Sequence, residues 1–410
     1  MGIERIAAMT DTASAIVGEN AVAAVRQPIE KAWGLPAAAY TSEEFFRLEQ
    51  RKYLRKMWMA AAFEAEIPEP GDALPLIVAG LPIILVRNSN GEIKAFHNVC
   101  RHRGMMVLGE PCQGLKQFTC PYHAWGYGLD GELIRAPFFD GTPTGIEKGD
   151  LDTDAYGLVP VRCTVWHHWV FVDFGGDAPP IEEHLAPLLE FMNDADIGAM
   201  RYAGKVEWEF QANWKMVGDN WENYHHVYVH GGVFAKMSDD IDMETSELWS
   251  KPQHKGSVLT LRRRIEIAPS YTYKETGLPL IPFPEGKERV TAPNFIFPNV
   301  EIDLVRDNIS SIIYEPVAPD RTTAKMGFFF LGDAATSQEH AEGRKTAMDR
   351  WLGPERSKDA NDGVRNQDFR IWEAIQIAKG SPAADANIFS PLWEGNPHYF
   401  HNHILDYLEA

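Results

Sequence analysis

Apolar positions recur with different spacings along the chain, and the changes in spacing predict its domain organisation. Residues 1–40 carry a weak helical pattern and are expected to form an N-terminal arm. Residues 41–175 begin with a helix, opened by a capping box of Thr41 and Glu44, and continue as short apolar runs separated by turn residues. Residues 176–410 alternate longer strands with helices, which predicts a second, mixed domain.

Individual elements follow from the same patterns. The first helix is expected to reach about Met59, and the runs 83–87 and 92–98 flank a Gly-bearing loop, which predicts a β-hairpin in a small sheet sandwich. A further strand is expected at 166–174. In the second domain we expect helices at 214–229, 337–352 and 364–379, and strands at 258–267, 300–306, 310–316 and 323–332.

Composition and charge narrow the class of protein. With 410 residues, 45% of them hydrophobic and 24% charged, the chain is expected to fold into two or three globular domains. The 58 acidic against 39 basic residues give a net charge of −19, which disfavours binding to nucleic acid or to an anionic membrane. The most apolar run, 73–86, is too short to span a bilayer, and no secretory signal pattern opens the chain, so we expect a cytoplasmic protein.

The densest candidate chemistry is a pair of cysteine–histidine motifs. Cys100 and His102 are followed, after 17 residues, by Cys120 and His123. Structural zinc sites usually group like ligands, whereas each of these loops offers one thiolate and one imidazole. That division favours a [2Fe–2S] cluster with both cysteines on one iron and both histidines on the other, the Rieske arrangement. A zinc site is the alternative, and the other cysteines, at positions 112 and 163, are expected to be structural thiols.

The residues around these motifs carry a family resemblance. The segments Ala95–Gly104 and Cys120–Trp125 resemble the large subunit of Rieske non-haem iron oxygenases, the aromatic-ring-hydroxylating family, and the resemblance extends over about residues 40–410. Met105 and Tyr122 stand where respiratory-chain Rieske proteins carry a second pair of cysteines. The resemblance implies an α+β chain: an all-β Rieske domain, then a catalytic domain whose curved antiparallel sheet wraps on helices in the helix-grip, START-like manner.

The resemblance also implies a mononuclear iron site in the second domain. The family pattern of an acid, one residue, Tyr, His, four residues and His assigns His225 and His230 as iron ligands. Ideal helix geometry instead favours His226 with His230, because residues four apart share a face whereas residues five apart differ by about 140°. The family pattern places the second ligand where the helix ends, and Gly231 is expected to end it.

Four further residues receive roles from the resemblance. Asp368 matches the distant carboxylate that completes the iron triad, a choice that spacing alone does not make. Glu222 matches a bridging acid that links His123 of a neighbouring subunit to the iron ligand His225. Asn220 is expected near the iron, and Tyr224 is expected either to support this network or to pack.

The implied function is that of a terminal oxygenase component that inserts O2-derived oxygen into an aromatic substrate. Its expected cofactors are the [2Fe–2S] cluster and Fe(II), with electrons from NAD(P)H through a partner reductase, directly or through a ferredoxin. The implied assembly is a homotrimer or an α3β3 complex. The alternative within this class is a monooxygenase that removes N- or O-methyl groups, including those of quaternary ammonium compounds. An electron-carrying Rieske protein and a zinc-stabilised binding protein are the alternatives from other classes.

Overall fold

The computed structural model describes residues 11–149, 151–222, 253–261, 263–264, 276–353, 363–385 and 387–410. The chain forms two compact units. One unit, Arg55–Ile181, is continuous and is referred to below as the inserted unit. The other, referred to as the larger unit, combines the chain up to Leu54 with Glu182–Ala410, so it is completed only by segments from both sides of the insertion.

The inserted unit is built from antiparallel strands. Its strands are β1 Met59–Phe63, β2 Ala73–Val78, β3 Leu81–Arg87, β4 Ile93–His97, β5 Phe118–Thr119, β6 Gly126–Tyr127, β7 Leu133–Arg135, β8 Pro160–Trp166 and β9 Trp169–Asp173. Six of them form a sheet in the order β1-β9-β8-β4-β3-β2, and β5-β6-β7 form a smaller one. The predicted hairpin is confirmed, since β3 pairs with β4 from Ile83↔His97 to Arg87↔Ile93.

The strand predicted at 166–174 is wrong in its first residues. Trp166 ends β8 and Trp169 begins β9, and these two residues pair across a tight turn. His167 adopts a left-handed backbone with φ of 50°, which reverses the chain. An aromatic run that reads as one continuous strand is therefore the tip of a hairpin.

The larger unit packs helices with an antiparallel sheet. Its helices are α1 Ala13–Val17, α2 Glu19–Val25, α3 Ala38–Thr41, α4 Glu43–Lys52, α5 Ile181–Phe191, α6 Lys215–Asp219, α7 Ala341–Leu352, α8 Val364–Ala378 and α9 Gly395–Leu408. Its strands are β10 Met200–Phe210, β11 Gln253–Lys255, β12 Val258–Thr260, β13 Arg263–Arg264, β14 Val290–Thr291, β15 Asn294–Ile296, β16 Val300–Leu304, β17 Ile309–Ala318 and β18 Arg321–Leu331. Seven of the described strands form one sheet, β10-β18-β17-β16-β15-β12-β11. Bulges in β10 and β17 add twist to this curved sheet, and the α+β class is confirmed.

Most predicted elements of the larger unit are present with shifted ends. The strands expected at 300–306, 310–316 and 323–332 are β16, β17 and β18, and the last two predicted helices are α7 and α8. The helix predicted at 214–229 begins as α6, and its part from 223 onward lies outside the described residues. Strand β10 and helix α9 were not predicted, because charged residues and a glycine interrupt β10 and polar and aromatic residues crowd α9.

The predicted first helix needs two corrections. Ser42 caps it in place of Thr41, accepting a hydrogen bond from the Phe45 N–H at 3.2 Å, and the helix ends at Lys52, before a short 3-10 turn at Leu54–Lys56. The helix also belongs to the larger unit, so the domain boundary lies after Leu54 and not at 41. The physical reason is the inward-facing Glu49, whose carboxylate lies 2.7 Å from the Lys215 Nζ. The second predicted boundary, at 175, lies close to the observed one after Ile181.

Candidate metal centres

The two cysteine–histidine loops of the inserted unit have the same backbone turn. In the first loop, the Cys100 N–H donates to the Met105 carbonyl at 2.8 Å, and the Gly104 N–H donates to the Cys100 carbonyl at 3.0 Å. The second loop repeats both hydrogen bonds between Cys120 and the residues four and five positions later. The residue four positions after each cysteine is left-handed, with φ of 75° at Gly104 and 54° in the second loop. Two copies of one turn therefore present two cysteines in equivalent settings.

Burial separates the thiols from the imidazoles. Cys100 and Cys120 are 3% and 2% exposed, whereas His102 and His123 are exposed. The two imidazole rings lie together, with centroids 4.6 Å apart at 69°. Burial raises the pKa of the Cys120 thiol, and the neighbouring Cys100 thiol adds to this rise. The structure thus brings all four predicted residues into one place, sulfur inside and nitrogen outside.

This donor set fits a [2Fe–2S] cluster better than a single zinc ion. A Rieske cluster takes two protein ligands on each iron, so an inner thiol pair and an outer imidazole pair match its two ends. Zinc in a structural site needs four ligands around one ion.

Two buried side chains that the sequence did not single out support the first loop. The Asn98 side-chain oxygen accepts the N–H groups of Val107 and Leu108 at 2.8 and 3.0 Å, which closes the segment around Cys100. The Tyr127 hydroxyl lies 3.2 Å from the Cys100 sulfur. Burial, together with the Cys100 thiol, raises the pKa of Tyr127, so the phenol keeps its proton. Only the polar character of these residues next to the motif could have pointed to them.

Aromatic rings support the histidines. Trp125 stacks on His102 with centroids 4.9 Å apart and planes 7° apart, and the Tyr122 ring lies 3.7 Å from that of His123. Desolvation, followed by the charges of His123 and Arg103, lowers the pKa of His102. A neutral imidazole is the form that binds a metal, so the lowered pKa of His102 favours the form that can act as a ligand.

In the larger unit, two residues predicted from the resemblance contact each other. Asn220, just after α6, donates from Nδ2 to Oδ1 of Asp368 in α8 at 3.3 Å. Asp368 is 2% exposed, and Glu222 is half-buried. Tyr224, His225, His226 and His230 lie outside the described residues, so the iron ligand set stays a prediction. A buried carboxylate held by an amide is nevertheless a suitable oxygen ligand for Fe(II).

The segment that leads to Asn220 is fixed through Asp219. The His401 Nδ1 accepts the Leu35 N–H at 3.1 Å, so its Nε2 carries the proton and donates to Asp219 at 2.6 Å. The Tyr40 hydroxyl donates to the other oxygen at 2.7 Å. Burial raises the pKa of Asp219, but His401, Tyr40 and Lys379 outweigh it and hold the pKa below its usual range. The N-terminal arm and the C-terminal helix thus hold the start of the predicted iron segment.

A buried ion cluster, also missed from the sequence, adjoins Asp368. The Arg365 guanidinium contacts the carboxylates of Glu301 and Asp303, both from β16, and lies 3.9 Å from the Asp368 carboxylate. Burial, followed by the charge of Glu301, raises the pKa of Asp303 well above its usual range. The sequence signal was two acids alternating with apolar residues in a strand that is buried throughout.

Comparisons with known proteins agree with this arrangement. Residues 57–145 match the family model described as "Rieske [2Fe-2S] domain". Residues 197–410, more than half of the chain, match the model described as "Ring hydroxylating alpha subunit (catalytic domain)". Together the two domains imply a Rieske cluster and a mononuclear iron that works with O2.

Two of the similar curated proteins are monooxygenase oxygenase subunits. The glycine betaine monooxygenase oxygenase subunit of Pseudomonas aeruginosa is 32% identical over 197 residues, 48% of this chain, and the match spans only 44% of that relative. The carnitine monooxygenase oxygenase subunit of Escherichia coli is 26% identical over 352 residues, 85% of this chain and 84% of the relative.

A solved structure shares the fold. The quaternary ammonium Rieske monooxygenase CntA, in complex with gamma-butyrobetaine, superposes with a TM-score of 0.70 at 21% identity, covering 92% of this chain and 95% of that one. In the part of the chain that the structure describes, no helix has the length and apolarity to cross a membrane.

The matches to the two family models decide the family, because the catalytic-domain model alone covers more than half of the chain. The chain belongs to the ring-hydroxylating oxygenase alpha-subunit family, with a Rieske domain joined to the family's catalytic domain.

Proposed function

We propose that this chain is the terminal oxygenase component of a Rieske system, and that it is a monooxygenase removing a carbon substituent from a quaternary ammonium compound. The proposal rests on the pairing of buried thiols with exposed imidazoles in the inserted unit. The substrate class is suggested by two of the relatives, whose names specify glycine betaine and carnitine.

Within this proposal, the loops divide the work of holding the cluster. Cys100 and Cys120 would hold one iron, and the exposed His102 and His123 would hold the other. The cluster, when bound, would supply one-electron transfer. Trp125 and Tyr122 restrain the two rings, so little reorganisation accompanies each transfer.

The catalytic iron is assigned to three residues of the larger unit. Asp368, His225 and His230 hold it, and the bound metal supplies activation of O2. Asn220 restrains the Asp368 carboxylate through its amide. A carboxylate fixed in this way would need little rearrangement to hold the metal.

We also propose that the functional assembly is a trimer. The surface beside the exposed histidines carries apolar side chains that would be unusual facing water: Met105, Met106, Tyr122, Phe138 and Phe139. In the family that this chain resembles, such an assembly lets Glu222 bridge to His123 of a neighbouring subunit. Electrons would come from an NAD(P)H-linked reductase, directly or through a ferredoxin. Native mass measurement separates a homotrimer from an α3β3 complex.

The first test is metal content followed by turnover. After anaerobic Fe(II) loading and desalting, three irons for every two acid-labile sulfides are expected. Two irons for two sulfides would instead support an electron carrier, and zinc without sulfide would overturn the proposal. The loaded protein is then given a reductase and either carnitine and glycine betaine or biphenyl and naphthalene, and product is measured against O2 consumed.

Aromatic ring hydroxylation is the second candidate function. The catalytic-domain model is described by ring hydroxylation, which favours this activity independently of the individual relatives. A cis-diol or phenol formed in proportion to O2, with no turnover of the ammonium compounds, would select it over the first candidate.

A further inference from the structure

Arg365 is a buried cation beside the proposed iron carboxylate. It lies one helical turn before Asp368 in α8 and is 6% exposed. Its Nη2 contacts Glu301 and lies 2.9 Å from the Asp303 Oδ2, whereas its Nη1 lies 3.9 Å from the Asp368 Oδ2. One guanidinium therefore faces carboxylates of the sheet on one side and the carboxylate of its own helix on the other.

The guanidinium is held from several directions. Glu301 and Asp303 are alternate residues of β16, so they face the same side of the sheet. The Tyr314 hydroxyl of β17 donates to the Glu301 Oε2 at 2.7 Å, which fixes that carboxylate in turn. The Trp351 ring lies 4.8 Å from the centre of the guanidinium. Because its Nη2 contacts two carboxylates and the guanidinium lies over an aromatic ring, the Arg365 side chain is restrained in the interior.

The two oxygens of Asp368 consequently have different surroundings. Oδ2 faces Arg365, and Oδ1 accepts the Asn220 amide, which belongs to the segment that leads toward the predicted histidine ligands. We infer that Arg365 is a positioning residue for iron: it holds the Oδ2 side of Asp368 and leaves the Oδ1 side to face the metal. This inference rests on the proposed assignment of Asp368 as an iron ligand.

A purely structural role makes a different prediction. If Arg365 only ties α8 to the sheet, its replacement lowers stability and leaves the metal affinity of the folded protein unchanged. Substituting Lys keeps the positive charge while removing the two-pronged geometry. A change in iron affinity in Arg365→Lys therefore reports the orientation of Asp368 and not the net charge of the interior.

The experiment uses the full-length protein with its cluster intact and the mononuclear iron removed by a chelator. Fe(II) rebinding is measured by anaerobic equilibrium dialysis. The coordination geometry is followed by the EPR spectrum of the Fe(II)–nitric oxide adduct, because the oxidised cluster is EPR-silent. We expect Arg365→Lys to bind Fe(II) 10- to 100-fold more weakly, as is typical for residues that orient a ligand, and to change the rhombic splitting of the adduct.

The matched control is Arg350→Lys. Arg350 lies in α7, is also largely buried, and contacts Asp307 at 3.4 Å. The same replacement of a guanidinium by an ammonium, beside a carboxylate other than Asp368, is expected to leave Fe(II) affinity and the EPR spectrum as in the wild type.

The outcomes separate the inference from the proposed function. If Asp368→Asn loses Fe(II) but folded Arg365→Lys binds it with wild-type affinity and spectrum, the inference is overturned alone. If Asp368→Asn retains Fe(II), the ligand assignment itself is wrong. Should Arg365→Lys fail to fold, Tyr314→Phe loosens Glu301 without changing any charge: a severalfold weaker affinity supports the inference, and an unchanged affinity overturns it.

Discussion

The hydroxyl of Tyr127 and the sulfur of Cys100 lie 3.2 Å apart in the interior of the inserted unit. The Tyr127 oxygen also accepts the Arg101 N–H at 3.0 Å. Its own proton is therefore free to point at the sulfur, which as a thiolate can only accept. A hydrogen bond to a cluster sulfur withdraws negative charge and favours the reduced state.

Tyr127→Phe is therefore expected to lower the reduction potential of the cluster. A hydrogen bond with a net value of about 0.5–1.5 kcal/mol corresponds to about 20–60 mV for one electron. The potential is measured by redox titration with EPR detection of the reduced cluster. Tyr156→Phe is the control, because the Tyr156 ring contacts Trp125 and its residue is partly exposed. Equal potentials for Tyr127→Phe and the wild type would contradict this role.

The buried ion pair of Glu49 and Lys215 predicts a large stability effect. Both side chains are fully buried, with the Nζ and the carboxylate 2.7 Å apart. Glu49→Gln leaves an ammonium without its counter-charge, which costs about 3–5 kcal/mol. The measurement is the thermal unfolding of the larger unit by calorimetry. Glu43→Gln, at an exposed pair with Arg47, serves as the control and is expected to leave the unfolding temperature unchanged.

Asp219 predicts a pH dependence of stability. Its pKa is lower in the folded protein than in the unfolded chain, so its stabilisation is present above the unfolded pKa of about 3.9 and is lost as the pH falls through the folded pKa. Asp219→Asn is expected to destabilise the larger unit by about 1–3 kcal/mol at pH 7, with a deficit that shrinks below about pH 4.

Unfolding temperatures at a series of pH values test this expectation. Asp406→Asn, at an exposed pair with Arg26, is the control and should follow the wild-type curve. If the loss of stability in Asp219→Asn stays constant down to pH 3, the ionised form of Asp219 contributes nothing to the stability of the larger unit.

The proposed bridging role of Glu222 predicts that its replacement lowers turnover without lowering metal content. If it bridges the two centres, Glu222→Gln keeps the cluster and the mononuclear iron but loses most coupled oxygenation. Iron, sulfide and product are measured on the same preparation. Glu207→Gln, at a surface pair with Lys205 in β10, is the matched control and should keep full turnover. Near-normal coupled product formation by Glu222→Gln would exclude the bridge.

The grouping of Cys100, His102, Cys120 and His123 could be predicted from the sequence because their spacing is local. Each loop carries its own cysteine and histidine, and that alternation favours an iron–sulfur cluster over zinc. The contact between Asn220 and Asp368 joins residues 148 positions apart, and only the family pattern chose Asp368 among the acids near it.

The features that the sequence did not reveal depend on which distant residues pack against a given side chain. Period-two alternation would place Glu301 and Asp303 of β16 in solvent, whereas Arg365 covers them and makes the whole strand buried. The sequence analysis assigned helix α4 to the β unit that follows it, because no local sequence pattern shows that Glu49 pairs with the distant Lys215. Both features depend on ion pairs between distant segments, which leave no periodic signal.

The insertion of Arg55–Ile181 into the larger unit sets an order of events during synthesis. The inserted unit is a continuous stretch, so all of its strands have been made before β10 emerges. The larger unit must wait, because Glu49 meets Lys215 only after the whole insertion has been translated. The cysteine–histidine loops are therefore fully synthesised before the segments that complete the larger unit, so cluster assembly on these loops need not await that unit.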